Sequence, residues 1–157
     1  MRILHTSDLH LGGTWFGRKR DDDERRVIDE ILGLCDQRGV DLLLVTGDVF
    51  SDRPHGSLDA VARRFFQQLE PAMRRGMRVM LLRGNHDSRA FFQLLRYVCQ
   101  EWLGKQDAPP IFAERPDIYD VPGAEVQVIA LPYLTPSDLA WMFHKQEHGT
   151  FSRELCP

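Results

Sequence analysis

Three things are scarce in this chain, and each scarcity removes a class of protein. There are only three cysteines. Cys35, Cys99 and Cys156 lie far apart, without the paired spacing of a structural zinc site or a disulfide framework, so reduced thiols are expected. Long apolar runs are also missing. No stretch approaches the roughly 18 residues of a membrane-spanning helix, and the opening MRILHTSDLH has no apolar secretion block. A cytoplasmic protein with no membrane partner is the expectation. Positive charge is the third scarcity. The formal net charge is −3, whereas a dedicated nucleic-acid module is usually basic. Any contact with a polyanion must therefore be local. The clusters Arg18-Lys19-Arg20, Arg25-Arg26, Arg63-Arg64 and Arg74-Arg75 read first as solvated helix faces or loops.

What the chain does contain is alternation. Its 157 residues suffice for one domain with a real core. Arg2 to Ser7 reads as a short strand. Asp22 to Gln37 reads as a helix, because Val27, Ile28, Ile31, Leu32, Leu34 and Cys35 recur at helical spacing and Gly39 stops it. Leu42 to Val45 is a continuous apolar run, the mark of a strand covered on both faces. Ser57 to Arg75 is a second helix, with Ser57 as its cap, Pro71 as a kink and Gly76 as its end. Val79 to Leu82 is another buried strand, and Arg89 to Leu103 a third helix. Asp107 to Pro116 reads as a surface connection. Ile118 to Val121 and Val126 to Leu131 read as strands around the Pro122-Gly123 turn, and Ser137 to His148 as a last helix. Strands alternating with helices predict an α/β fold, with a central, mostly parallel sheet flanked by helices.

In such sheets ligands bind just outside the carboxyl ends of the strands. The first predicted strand ends in Asp8-Leu9-His10, the second in Gly47-Asp48, the third in Gly84-Asn85-His86-Asp87. Three loops thus carry carboxylate, imidazole and amide groups to one rim. Asp8, Asp48 and Asn85 offer oxygen and His10 offers nitrogen. With no thiol among them, the set suits Mn²⁺, with Mg²⁺ or Fe²⁺ as alternatives. Two such ions roughly 3.5–4 Å apart clamp a phosphoryl group, and Asp48, from the middle strand, is placed to bridge them. Gly47 and Gly84 allow close backbone approach. Asp87 has two open roles, orienting His86 or, with Ser88 as the alternative, capping the helix that follows.

These residues resemble the first three motifs of the calcineurin-like metallophosphoesterase superfamily. Within it, MRILHTSDLHLG, LLLVTGDVFSDRP and GNHDSR are similar to the SbcD nucleases of DNA double-strand-break repair, and IALPYLTPSDL to the stretch that follows them. The likeness spans about residues 1 to 140. It implies a metallophosphoesterase-type layered fold and two divalent ions. Asp8 and His10 would sit on the first ion, Asp48 on both and Asn85 on the second. His86 would face the phosphate and assist the leaving oxygen, a task that suits an imidazole. The resemblance further implies DNA as substrate, exonuclease and endonuclease activity, an SbcC-like ATPase as partner, and a dimer. Phe65, Phe66, Phe91, Phe92, Leu94, Leu95 and Val98 leave open whether the helix faces are buried within the domain or meet a second copy.

Two departures stand out. Where some relatives carry a histidine after Gly-Asp-x-Phe, this chain has Ser51, followed by Asp52-Arg53. No Gly-His-x-His occurs either. Two octahedral ions need on the order of a dozen coordination positions, more than Asp8, His10, Asp48, Asn85 and several waters supply. His144 and His148 are the only other donors in view. Residues 1–157 are therefore expected to be the N-terminal portion of the domain, incomplete and inactive alone, with the remaining histidine ligands absent. A small-molecule or cyclic-nucleotide phosphodiesterase, and a scaffold with incomplete chemistry, are the rival expectations.

Overall fold

The computed structural model describes residues 1–101 and 109–140. The chain opens with strand β1 (Ile3–Thr6), then a small hairpin of β2 (Thr14–Trp15) and β3 (Arg18–Lys19). Helix α1 (Asp21–Arg38), strand β4 (Leu42–Thr46), helix α2 (Leu58–Arg74), strand β5 (Arg78–Leu82), helix α3 (Arg89–Glu101) and strand β6 (Ile111–Ala113) follow in order. Strands β7 (Asp117–Asp120) and β8 (Gln127–Ala130) form a separate antiparallel pair. The main sheet has the order β1-β4-β5-β6 and is parallel throughout. Among the described residues, no helix is long and apolar enough to cross a membrane.

Alternation along β4 and β5 explains the layers. Successive side chains of a strand point to opposite faces. Leu43, Val45, Val79 and Leu81 join Ile28, Cys35, Val61, Phe65, Leu69 and Phe92 of the helices in one core. Leu42 and Met80 join Ala113, Val121 and Ala130 in a second core on the other face. The helices therefore cover one side of the sheet and the β7–β8 pair covers the other, which is why the two central strands are apolar without interruption. Phe50 ties this core to the rim. It follows β4 by a few residues, is fully buried, and meets Phe65, Phe91 and Phe92 edge to face. Cys35 and Cys99 are buried and free. Burial pushes the Cys99 thiol up to about 11 and raises Cys35 as well, so both stay protonated and inert.

Three sequence expectations need correction. The supposed surface connection of residues 107–116 contains β6, the fourth strand of the main sheet. Three residues are too few to show a period; Phe112 and Ala113 are buried because pairing with β5 places one on each face. The β2–β3 hairpin has no counterpart among the expected elements, since its two-residue strands are exposed and carry no apolar alternation. Ser57 stands at the N-cap of α2 but makes no cap bond. Of the last expected helix, residues 136–140 are helical; His144 and His148 lie outside the described residues, as does Cys156.

Candidate metal centre

The rim is built by extending the parallel ladder past the strand ends. Beyond β1, the Asp8 N–H donates to the Gly47 carbonyl (3.1 Å), His10 to Asp48 (2.9 Å) and Leu11 to Val49 (3.0 Å). Beyond β4, the Gly47 N–H donates to Leu82 (3.1 Å). The loops that follow β1 and β4 thus run side by side, and the Gly84-Asn85-His86 loop after β5 lies against them.

Asp8, His10 and Asp48 adopt left-handed backbone conformations, with φ of 58°, 46° and 51°. A non-glycine residue held there costs on the order of 1–3 kcal/mol, and only an over-determined surrounding sustains three of them. The result is a cluster. One donor atom from each of Asp8, His10 and Asp48 lies within 4.8 Å of the others. His10 Nε2 is 4.0 Å from Asp8 Oδ1 and 3.8 Å from Asp48 Oδ2. Asp48 is buried, whereas Asp8 faces solvent. Among the described residues no arginine or lysine pairs with either carboxylate. Two carboxylates and an imidazole converging without a compensating cation are a donor set that a hard divalent ion fits.

The third loop completes the surroundings. The His86 N–H donates to Asp48 Oδ1 at 3.0 Å, and the His86 ring stands edge-on to His10 with centroids 5.1 Å apart. Asn85 is exposed and lines a cavity of about 290 Å³ together with Asp8, Gly47, Asp48 and Gly84. All five expected functional side chains therefore reach one rim. Close approach between Asp8, His10 and Asp48 is direct, and Asn85 shares a cavity with the two carboxylates.

Gly84 makes that approach feasible. A Cβ at this position would overlap both Oδ1 and the backbone N of Asp48, and a Cβ at Gly47 would meet the Gly84 Cα at 3.4 Å. Asp87 plays neither of the roles expected for it. Its buried carboxylate accepts the N–H groups of Val49 (3.1 Å), Phe50 (2.8 Å) and Gly84 (2.8 Å), stapling the β4 loop to the β5 loop. Burial pushes its carboxyl up, against the pull of those three donors. The helix cap is Ser88, whose hydroxyl accepts the Phe91 N–H at 3.4 Å.

Three participants escape a reading of the sequence. Asp52 lies 3.5 Å from His86 Nδ1; it stands two residues past the buried Phe50, and nothing in the sequence shows that this loop bends back. Arg83 is buried and pairs with the buried Asp138 at 3.3 Å. Asp138 also accepts from Arg89 and from the Thr135 N–H and hydroxyl, which fastens the 131–138 segment beside the rim. An arginine directly after a buried strand is the available signal, since so buried a guanidinium requires a partner.

Gly84→Ala is expected to displace Asp48, lowering Mn²⁺ affinity by more than about tenfold and stability by roughly 1–3 kcal/mol. Calorimetric titration with Mn²⁺ and denaturant unfolding read the two effects. Unchanged affinity would show that the Gly84–Asp48 contact does not shape the centre.

Comparison with known proteins agrees with this geometry. The family model for calcineurin-like phosphoesterases matches residues 1–148. The SbcD subunit of the SbcCD nuclease of Escherichia coli (strain K12) is 30% identical over 144 residues, covering 88% of this chain and 34% of its own length. Its counterpart in Rhodobacter capsulatus is 32% identical over 163 residues, 96% of this chain and 39% of that one. The Bacillus subtilis (strain 168) protein of the same name is 35% identical over 89 residues, 56% and 22% respectively. The chain thus spans about a third of the length of the first of these relatives. A parallel sheet, a rim of strained acidic and imidazole donors and a family match over nearly the whole sequence lead to one conclusion: the chain belongs to the calcineurin-like phosphoesterase family.

Proposed function

We propose that this chain carries the catalytic rim of a cytoplasmic, metal-dependent nuclease that hydrolyses DNA phosphodiesters. The observation that carries the proposal is the convergence of Asp8, His10 and Asp48 within 4.8 Å, with His86 edge-on to the same group. The names of the relatives support DNA as substrate and an SbcC-like ATPase as partner. On this reading two Mn²⁺ ions occupy the rim, with Asp8 and His10 serving one, Asn85 the other and Asp48 both. Further donors complete the two shells, in keeping with residues 1–157 being the N-terminal portion of a longer domain.

When bound, the cations supply Lewis-acid neutralisation of phosphate charge and activation of water. The chain's own residues do the rest. Asp48 accepts the His86 N–H at 3.0 Å and so fixes where that ring begins. Asp52 engages His86 Nδ1 at 3.5 Å, which leaves Nε2 as the nitrogen for a substrate oxygen. From there His86 passes a proton to the departing sugar oxygen, the contribution expected of a positioned acid. Gly84, by lacking a side chain, keeps Asp48 within reach of the substrate.

A second copy of the chain fits the open side of the helices. An apolar groove of about 500 Å³ lies between α2 and α3, lined by Phe66, Met73, Phe91, Leu94, Leu95 and Val98. Leu94 is 54% exposed, an apolar side chain left in water unless a partner covers it. We read this face as the homodimer contact.

Two outcomes test these proposals. In the intact protein with Mn²⁺, linear duplex DNA is expected to be cut far faster than an aryl phosphodiester. His86→Ala should retain Mn²⁺ while losing about 10²–10⁴-fold in turnover; full activity in that variant removes His86 from its role, and a preference for the aryl ester removes DNA. Leu94→Glu is expected to halve the mass seen by sedimentation, and a dimer that persists would place the contact elsewhere.

A further inference from the structure

The β2–β3 hairpin is unexplained by folding. Trp15 is 66% exposed and Phe16 is 92% exposed. Their rings meet only each other edge to face, 5.4 Å apart, and neither joins a core cluster. The turn is formed by Phe16 and Gly17, both at positive φ, 47° and 75°. Such a two-residue turn favours Asn-Gly, because asparagine tolerates the first position. A phenylalanine there is strained and at the same time left in water. Folding stability therefore does not account for this side chain, and strain of this kind gathers where a ligand is held.

Three further observations narrow the ligand. First, the hairpin is rooted at the metal centre: the Gly13 N–H donates to the His10 carbonyl at 3.0 Å, and β2 begins at the next residue. Second, Arg18 and Lys19 on β3 are exposed and make no ion pair with any described residue, although the chain as a whole carries −3. Third, two rings are too small a surface for a stable protein interface, which needs on the order of 1,000 Å². Uncovered aromatic faces beside free cations are what a single strand of nucleic acid takes: bases stack on the rings and phosphates meet the cations.

We propose that the β2–β3 hairpin is a stacking platform for unpaired bases of the DNA strand presented to the metal centre. This rests on the nuclease reading and specifies how that substrate is held: Trp15 and Phe16 carry the bases, while Arg18 and Lys19 meet the backbone.

The test is binding of a labelled oligo(dT) strand to the intact protein in buffer free of divalent cations, so that it does not depend on the metal centre. Trp15→Ala combined with Phe16→Ala is expected to weaken binding roughly 5- to 100-fold. A strand of equal length and charge with abasic sites is expected to bind the parent weakly and to be insensitive to the two substitutions. Equal affinity of parent and variant for oligo(dT), or an equal loss on the abasic strand, overturns the platform. So does a variant that keeps the strand but loses a protein partner or anionic vesicles. Cleavage of duplex DNA by the parent with Mn²⁺ is read separately: its absence would sink the nuclease reading, whereas its presence with no oligo(dT) binding would sink only the platform.

Discussion

The Asp87 carboxylate holds the rim together. Buried between two loops, it receives three backbone N–H groups, from Val49, Phe50 and Gly84. A carboxylate is the side chain best able to do this, since it offers about four lone-pair sites and no donor. The three bonds fix the path of the chain after β4 against the path after β5. Everything at the centre inherits that relation: Asp48 precedes the first stapled residue, and His86 precedes Asp87 itself. The same staple brings Gly84 so close to Asp48 that no side chain fits between them.

Strain and packing then divide the work. Asp8, His10 and Asp48 sit in left-handed conformations that no isolated peptide would choose. What keeps them there is the extended ladder between the first two loops and the anchoring of Phe50 among Phe65, Phe91 and Phe92. The hydrophobic core beneath the helices is therefore part of the site, because it holds still the backbone from which the donors project. The donors themselves are mutually repulsive, with two carboxylates facing one imidazole and no cation nearby. Such a centre is stable in the fold and unsatisfied in charge, the condition that favours binding of a divalent ion.

How much of this is legible in the sequence follows from what periodicity encodes. The central strands are legible because Leu42 to Val45 and Val79 to Leu82 are buried on both faces. The donors Asp8, His10, Asp48 and Asn85 are legible because they stand directly after predicted strands, where a parallel sheet exposes its carboxyl edge. Strand β6 is hidden by its brevity, and the hairpin by the absence of any apolar face. The roles expected of Asp87 are local ones, whereas its partners Val49 and Phe50 lie 38 and 37 residues away in sequence. Asp52 and the Arg83–Asp138 pair stay hidden for the same reason: their partners are brought near by tertiary folding, and no short-range spacing announces them.

The central claim is that the first two loops place Asp8, His10 and Asp48 as ligands of one divalent cation. Anomalous diffraction at the manganese edge from Mn²⁺-soaked crystals tests it most directly. A peak at bonding distance from all three side chains is the predicted result. Well-ordered crystals with those side chains in place and no anomalous peak among them would contradict it.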